Sequence, residues 1–152
     1  MKAKLRSALV ARLEQDLATA RAAHAAAIEG ATHEEARPEN DKDTRGLEQS
    51  YLARGLAQRV ADLEAAVAAI PVMVIDACSQ VKLGALVTVE EDDEELTFFV
   101  AGHGGGIELP GGVTVVTPSS PIGRALLGKA CDDECEVAAG GKRRTLVITS
   151  IK

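Results

Sequence analysis

The chain has 152 residues, a net charge of −6 and a hydrophobic content of 46%, a size that suits one large domain or two small ones. With few aromatic side chains for base stacking and an acidic balance that repels phosphates, the composition argues against direct binding of nucleic acid. It favours a protein or a metal as the partner.

The cysteine pattern and the length of the apolar runs indicate the cellular compartment of the protein. Cys78, Cys131 and Cys135 form neither an even disulfide set nor a zinc-ligand pattern, so we expect them to be reduced and partly buried. Charged residues interrupt the N-terminal stretch, and no run of about 18 apolar residues follows it. We therefore predict a cytoplasmic protein with no membrane contact.

Residues 3–31 predict a first long helix, because apolar residues recur at alternating spacings of three and four. Such spacing is typical of a coiled-coil seam. The predicted seam residues are Val10, Leu13, Leu17, Ala20, His24, Ala27 and Ala31.

A second helix is predicted from a cap at Asp43 or Thr44 to Ile70, where Pro71 ends it. Two such helices with a short connection predict an antiparallel coiled-coil hairpin over residues 1–70. A dimerisation coiled coil is the alternative. The predicted stripe of the second helix is Leu52, Leu56, Val60, Leu63, Val67 and Ile70.

Residues 33–43 form the predicted tip of the hairpin. Pro38 disfavours helix there, and several carboxylates crowd the segment. A solvated turn that caps the second helix is one interpretation, and a surface that meets cations is the other. The carboxylates are Glu34, Glu35, Glu39, Asp41 and Asp43.

From residue 71 onward, short β-branched runs replace the helical pattern and predict a small α+β domain over residues 71–152. One short helix is predicted over residues 121–129, with Ser119 or Ser120 as its N-cap and Pro121 at its first position. The predicted strands cover residues 72–75, 86–89, 96–100, 113–116 and 146–151.

Three motifs in this half have ordinary interpretations. Residues 102–106 read Gly-His-Gly-Gly-Gly, but no esterase nucleophile motif accompanies them, so we interpret them as a hairpin loop. The acidic run 90–95 lacks the ligand pattern of a calcium loop and predicts a solvated turn. The basic run 142–144 is typical of a surface patch that aids solubility.

Residues 116–137, followed by Gly140 and Gly141, resemble the C-terminal domain of the Gre transcription elongation factors, GreA and GreB. That pattern runs Ser-Pro-Ile or Met, Ala-Arg-x-Leu-hydrophobic-Gly-Lys, two or more acids, a strand and Gly-Gly. The matching residues are Ser120, Pro121, Ile122, Arg124, Leu126, Gly128, Lys129, Asp132, Asp133, Gly140 and Gly141. The resemblance implies an FKBP-like α+β domain with an antiparallel sheet behind the coiled-coil hairpin.

The resemblance also implies a partner, bacterial RNA polymerase, with nucleic acid contacted only through it. The hairpin would enter the secondary channel, and Ser119, Ser120, Pro121 and Ile122 would lie beside the channel rim. We accordingly expect an accessory factor with no catalytic residues of its own, no cofactor and no stably bound metal. We also expect a monomer.

The tip departs from the family pattern, since Ala36 stands where the resemblance places an essential Asp. The acids Glu35, Glu39, Asp41 and Asp43 could share the polymerase Mg²⁺ or simply occupy the channel, and we predict weak or absent stimulation of transcript cleavage. A dimeric coiled-coil adaptor with an FKBP-like docking domain is the alternative function. A prolyl isomerase is disfavoured by the shortage of aromatic residues.

Overall fold

The computed structural model of the protein describes residues 1–32 and 45–152. They form two compact units, one of Met1–Ala11 with Ala68–Lys152 and the other of Arg12–Val67. The predicted tip and the predicted cap at Asp43 or Thr44 lie outside the described residues. The domain boundary predicted after residue 70 stays a prediction.

Both predicted long helices are present. Helix α1 covers Lys2–Thr32, and α2 covers Arg45–Ala69. A 3₁₀ turn, Ile70–Val72, follows α2 and contains Pro71. Because proline has no amide hydrogen to donate, the α-helical hydrogen-bond ladder stops at this point, as the sequence predicts.

In the helical unit Arg12–Val67, the small and apolar seam residues are the buried ones. An ion pair of 3.3 Å joins Arg21 on α1 to Glu64 on α2, but both side chains are largely exposed and the pair adds little stability. The buried residues of this unit are Leu13, Leu17, Ala20, Ala27, Leu63 and Ala66.

The predicted stripe of α2 is wrong at Leu52, which is 53% exposed. A seven-residue repeat that contains Val60 and Leu56 passes through Ala53, and Ala53 is half-buried. The position of a seam therefore follows helical spacing rather than residue size.

Residues 72–75 were predicted as a strand, and this prediction is wrong. Val72 and Val74 are exposed, and among the described residues no strand pairs with the segment. The backbone at Met73 and Asp76 is bound instead by side chains of α1. Arg6 Nη1 donates to the Met73 carbonyl and Lys2 Nζ to the Asp76 carbonyl, each at 2.8 Å. A β-branched composition favours a strand only where a sheet edge is available to pair with it.

The unit formed by Met1–Ala11 and Ala68–Lys152 contains one six-stranded sheet in the order β3-β4-β2-β1-β6-β5. Neighbouring strands are antiparallel except β2 and β4, which are parallel. The predicted α+β domain with an antiparallel sheet and one short helix is confirmed, and the parallel β2–β4 pair is the exception. The strands are β1 Leu86–Glu91, β2 Glu94–Val100, β3 Glu108–Leu109, β4 Val113–Val116, β5 Glu134–Ala139 and β6 Lys142–Ile151.

One face of the sheet carries the core against which the short helix α3, Pro121–Leu126, packs. Leu126 is fully buried there, with Ile122 and Ala125 packed at its side. Alternate residues along each strand supply the rest, as expected for strands with a period of two. The strand residues in this core are Val87, Val89, Phe98, Val100, Val116, Cys135, Val137, Leu146 and Ile148.

The three cysteines are free, and their burial differs from the expectation for two of them. Cys78 is half-buried as predicted, but Cys131 is exposed and Cys135 is buried. Burial raises the pKa of the Cys135 thiol above its usual value. Within residues 1–32 and 45–152, no helix carries an apolar run long enough to cross a membrane.

Candidate functional site

The turn at residues 117–123, which we call the Pro121 turn, is closed by Ser120. The Ser120 hydroxyl donates to the Thr117 carbonyl at 2.8 Å and accepts from the Gly123 amide at 3.0 Å. Ser120 is thus the N-cap of α3, and Pro121 occupies the start of the helix, where its missing amide costs nothing. Of the two predicted caps, Ser119 and Ser120, the structure selects Ser120.

Gly123 is required by the closeness of the turn. A Cβ atom at this position would lie 1.8 Å from the Thr117 carbonyl oxygen and 2.6 Å from its carbon. Real side chains do not approach backbone atoms so closely, so any larger residue would push the backbone at position 123 away from Thr117. The Ser-Pro-Ile-Gly order therefore encodes both the cap and the space that the cap needs.

Arg124 fixes the other side of the turn. Its Nε and Nη2 donate to the Ser119 carbonyl at 3.1 and 2.9 Å. The Ser119 hydroxyl lies 3.2 Å from the Thr117 hydroxyl. The backbone of the turn is consequently held by hydrogen bonds from both ends, which leaves its outward side chains in defined positions.

The structure brings together the four residues that the sequence predicts as a binding site. Ser119 and Pro121 are exposed, and Ser120 and Ile122 are half-buried. Pro121 and Ile122 are the apolar residues of this group, and Ile122 also packs against the core, which holds the turn in place. The contact that these residues make with a polymerase stays a prediction at this point.

An apolar groove of about 280 Å³ runs along the turn, and sequence reasoning missed it. One wall is the glycine-rich loop that was predicted as a hairpin loop and in fact connects β2 to β3. Pro121 separates this groove from a second, more polar one that contains Arg124 and Glu136. The residues that line the apolar groove are Phe98, Gly105, Gly106, Thr114, Val115, Val116, Ser120, Pro121, Ile122, Ala139 and Arg144.

Arg144 is the charged residue of the apolar groove, and its guanidinium binds Glu91 through two hydrogen bonds. The Nε to Oε2 distance is 2.7 Å and the Nη2 to Oε1 distance is 2.8 Å. The hydrogen bonds from Arg144 lower the pKa of the Glu91 carboxyl below its ordinary value, and the same contact raises the pKa of Arg144. Interpreting Arg144 as part of a solubility patch was therefore wrong.

The predicted tip acids, Glu35, Glu39, Asp41 and Asp43, lie outside the described residues, as does Ala36. Across the parts of the chain on either side of the tip, the structure contains no group of three or more His, Cys, Asp or Glu side chains arranged to hold a metal ion. The role of the tip acids stays a prediction.

Comparison with known proteins connects this geometry to a family. The family model described as transcription elongation factor GreA/GreB, C-terminal, matches residues 76–152. Transcription elongation factor GreA of Brucella anthropi is 35% identical over 98 residues, which cover 62% of this chain and 60% of that protein. The chain thus aligns with less than two thirds of the length of this relative.

Comparison with solved structures finds two factors of low similarity to this chain. GreA factor homolog 1 (Gfh1) of Thermus thermophilus is 23% identical, with a TM-score of 0.41 and coverage of 94% of each chain. The GreA/GreB elongation factor of Nitrosomonas europaea is 23% identical, with a TM-score of 0.38 and coverage of 61% of this chain and 78% of that one.

Proposed function

We propose that this chain, which belongs to the GreA/GreB family of transcription elongation factors, regulates transcript elongation by binding bacterial RNA polymerase. The Pro121 turn lies within the residues that match the family, and it supplies the contact with the polymerase. The chain acts as an accessory factor in this proposal, and the polymerase carries out the chemistry.

The observation that carries the proposal is the combination of exposure and rigidity in the Pro121 turn. An apolar residue that is exposed on a fixed backbone loses little conformational entropy when a partner covers it. Pro121 meets this description, because Ser120, Gly123 and Arg124 hold the backbone around it. The adjoining groove gives room for an apolar side chain of the partner.

Combined Pro121→Ala and Ile122→Asp substitution tests this contact. Loss of a central apolar contact typically reduces affinity by about tenfold or more, so we expect that loss for core RNA polymerase in a co-migration assay at micromolar concentration. Leu127→Asp is the matched control, since Leu127 is 44% exposed next to α3 and receives the same change of chemistry.

Circular dichroism separates loss of contact from loss of fold, because Ile122 also packs against the core. Pro121→Ala alone, which alters only an exposed residue, should weaken binding to a smaller extent with an unchanged spectrum. Failure of the wild-type chain to co-migrate with the polymerase would refute the proposed function.

For the predicted tip we propose occupation of the polymerase secondary channel rather than strong stimulation of cleavage. The sequence supports this because Ala36 stands where the resemblance places an Asp, and Mg²⁺ accepts little deviation from octahedral geometry at about 2.1 Å. Wild type compared with Glu39→Ala, Asp41→Ala and Asp43→Ala in a transcript-cleavage assay tests it. Strong wild-type cleavage that one substitution abolishes would contradict the proposal and identify the ligand.

The rival function, a dimeric coiled-coil adaptor, is favoured by one observation. Leu47 and Tyr51 on α2 are 54% and 59% exposed, and they lie four residues apart on one side of the helix. A second copy of the chain could cover such residues. Light scattering distinguishes the two functions, because a monomer at micromolar concentration argues against the adaptor.

A further inference from the structure

We propose that Glu91 is a positioning residue of the apolar groove, which holds the Arg144 side chain as a groove wall and thereby raises the affinity for the polymerase segment that enters it. This inference rests on the proposed function and names a determinant of the same contact. Glu91 itself is absent from the residues that line the groove, so it acts through Arg144.

The geometry of the pair supports a positioning role. Glu91 ends β1 and Arg144 lies on β6, and two parallel hydrogen bonds of 2.7 and 2.8 Å join them. Two bonds to one carboxylate fix the plane of the guanidinium as well as its distance. The Glu91 and Arg144 side chains are 18% and 35% exposed, so neither swings freely in water.

Strand alternation places the pair on the groove side of the sheet. Val87 and Val89 precede Glu91 on the core face of β1, and Leu146 and Ile148 follow Arg144 on the core face of β6. The pair thus continues the apolar rows at the point where the core meets the groove. The aliphatic part of Arg144 can cover apolar surface there while its charged end binds Glu91.

A fixed Arg144 affects binding because an arginine side chain has several rotatable bonds. An unpaired arginine at the groove would have to be ordered when the partner arrives, and that ordering opposes association. Glu91 orders it in the free protein, so the groove wall is present before the partner binds.

The chemistry of the groove defines the segment that fits it. Its lining is mostly apolar and includes Arg144, whose Nη1 makes no hydrogen bond within residues 1–32 and 45–152. We therefore commit to a polymerase segment in which an aliphatic side chain enters the groove and an adjacent carbonyl or carboxylate oxygen accepts from Nη1.

Glu91→Gln tests the inference, with Glu94→Gln as the matched control. Glu94 lies directly opposite Glu91 in the β1–β2 hairpin, is exposed, and undergoes the same change of charge. We expect Glu91→Gln to weaken binding of the full chain to core RNA polymerase by about fivefold, within the range for ordering one long side chain. Glu94→Gln should bind within about twofold of wild type, since surface charges away from a contact have small effects.

Exchanging the charges of Glu91 and Arg144 distinguishes a positioning role of Glu91 from a purely structural one. Glu91→Arg combined with Arg144→Glu allows an ion pair across the same strands but places a shorter side chain at the groove. We expect the thermal midpoint to recover relative to Glu91→Arg alone while polymerase binding stays weak. Recovery of binding along with the midpoint would show that the pair serves the fold alone and would overturn the inference.

The remaining outcomes distinguish failure of this inference from failure of the proposed function. If Glu91→Gln binds like wild type while the Pro121→Ala, Ile122→Asp variant is weak, the inference fails and the proposed function stands. If the wild-type chain does not bind, both fail. Should the exchanged variant not fold, the comparison of Glu91→Gln with Glu94→Gln decides alone, because each of these changes one exposed or half-buried side chain.

Discussion

The Pro121 turn and the acidic hairpin at residues 90–95 are both short connections of the same unit, but they are stabilised in opposite ways. The turn is closed by hydrogen bonds among residues 117–124, all of them close in sequence. The hairpin carries six consecutive acids, with Glu90 opposite Glu95 and Glu91 opposite Glu94. Its stabilising contact with Arg144 spans 53 positions of the chain.

The difference shows that, of these two connections, the hairpin is the one with repulsion between like charges. Like charges directly opposite each other on neighbouring strands are destabilising, so the hairpin depends on a distant cation. The turn contains no acid, and its hydrogen bonds come from residues 117–124, among them two from the Arg124 guanidinium. The hydrogen bonds of the turn therefore do not involve the hairpin acids, whereas the groove wall at Arg144 is coupled to them.

Gly123→Ala should have the largest effect, because the new Cβ would lie 1.8 Å from the Thr117 carbonyl oxygen. Opening the turn to relieve this overlap should lower the free energy of unfolding by about 3 kcal/mol. Gly102→Ala is the control, since a Cβ there meets no atom within 4 Å. Urea unfolding measures both, and equal stabilities of the two variants would contradict the close approach.

Ser120→Ala should have an intermediate effect, because it leaves the Gly123 amide without its acceptor. Loss of an N-cap typically costs about 1 kcal/mol. Ser120→Thr keeps a hydroxyl that can donate to the Thr117 carbonyl and accept from the Gly123 amide, so it should retain most of the stability. The denaturation midpoint of each variant is the measurement, and an alanine variant as stable as wild type would show that the turn is held without the cap.

Glu91→Gln should have the smallest effect on stability, about 0.5 to 1 kcal/mol at neutral pH and less in high salt, because the pair is only partly buried. The folded pKa of Glu91 lies below its ordinary value of 4.5. Its stabilisation is therefore present above pH 4.5 and lost as the pH falls through the lower folded value.

Thermal midpoints of wild type and Glu91→Gln between pH 7 and pH 3 measure this dependence. The difference between the two proteins should shrink below pH 4.5, whereas Arg144 stays charged throughout because its pKa is raised from an already high value. A difference that is constant over the whole range would contradict a stabilising role for the Glu91 carboxylate.

The parts of the fold that sequence reasoning predicted are those that local rules determine. The cap at Ser120, the proline at the start of α3 and the strand at residues 113–116 follow from side-chain chemistry and residue alternation. Helix α3 ends at Leu126 rather than at the predicted Lys129, because Gly128 adopts a positive φ of 81° and its amide donates to the Val81 carbonyl.

The parts that were missed depend on strand order and register. The pairing of Glu91 with Arg144 requires β6 to lie beside β1, and the apolar groove requires β4 to lie parallel to β2. Neither neighbour is adjacent in the chain, so no local pattern specifies it. The strand prediction for residues 72–75 was wrong for a related reason. Side chains of α1, rather than a sheet edge, bind the backbone at Met73 and Asp76.

Site-specific photo-crosslinking tests the central claim most directly, with a photoreactive amino acid in place of exposed Ser119 on the Pro121 turn. The control position is Val147, which is 37% exposed and alternates with the core residues Leu146 and Ile148, so it faces away from α3. The proposed contact at the Pro121 turn predicts that the probe at residue 119 crosslinks to core RNA polymerase and that the probe at residue 147 does not. Crosslinking from residue 147 alone, or from neither position in a bound complex, would contradict it.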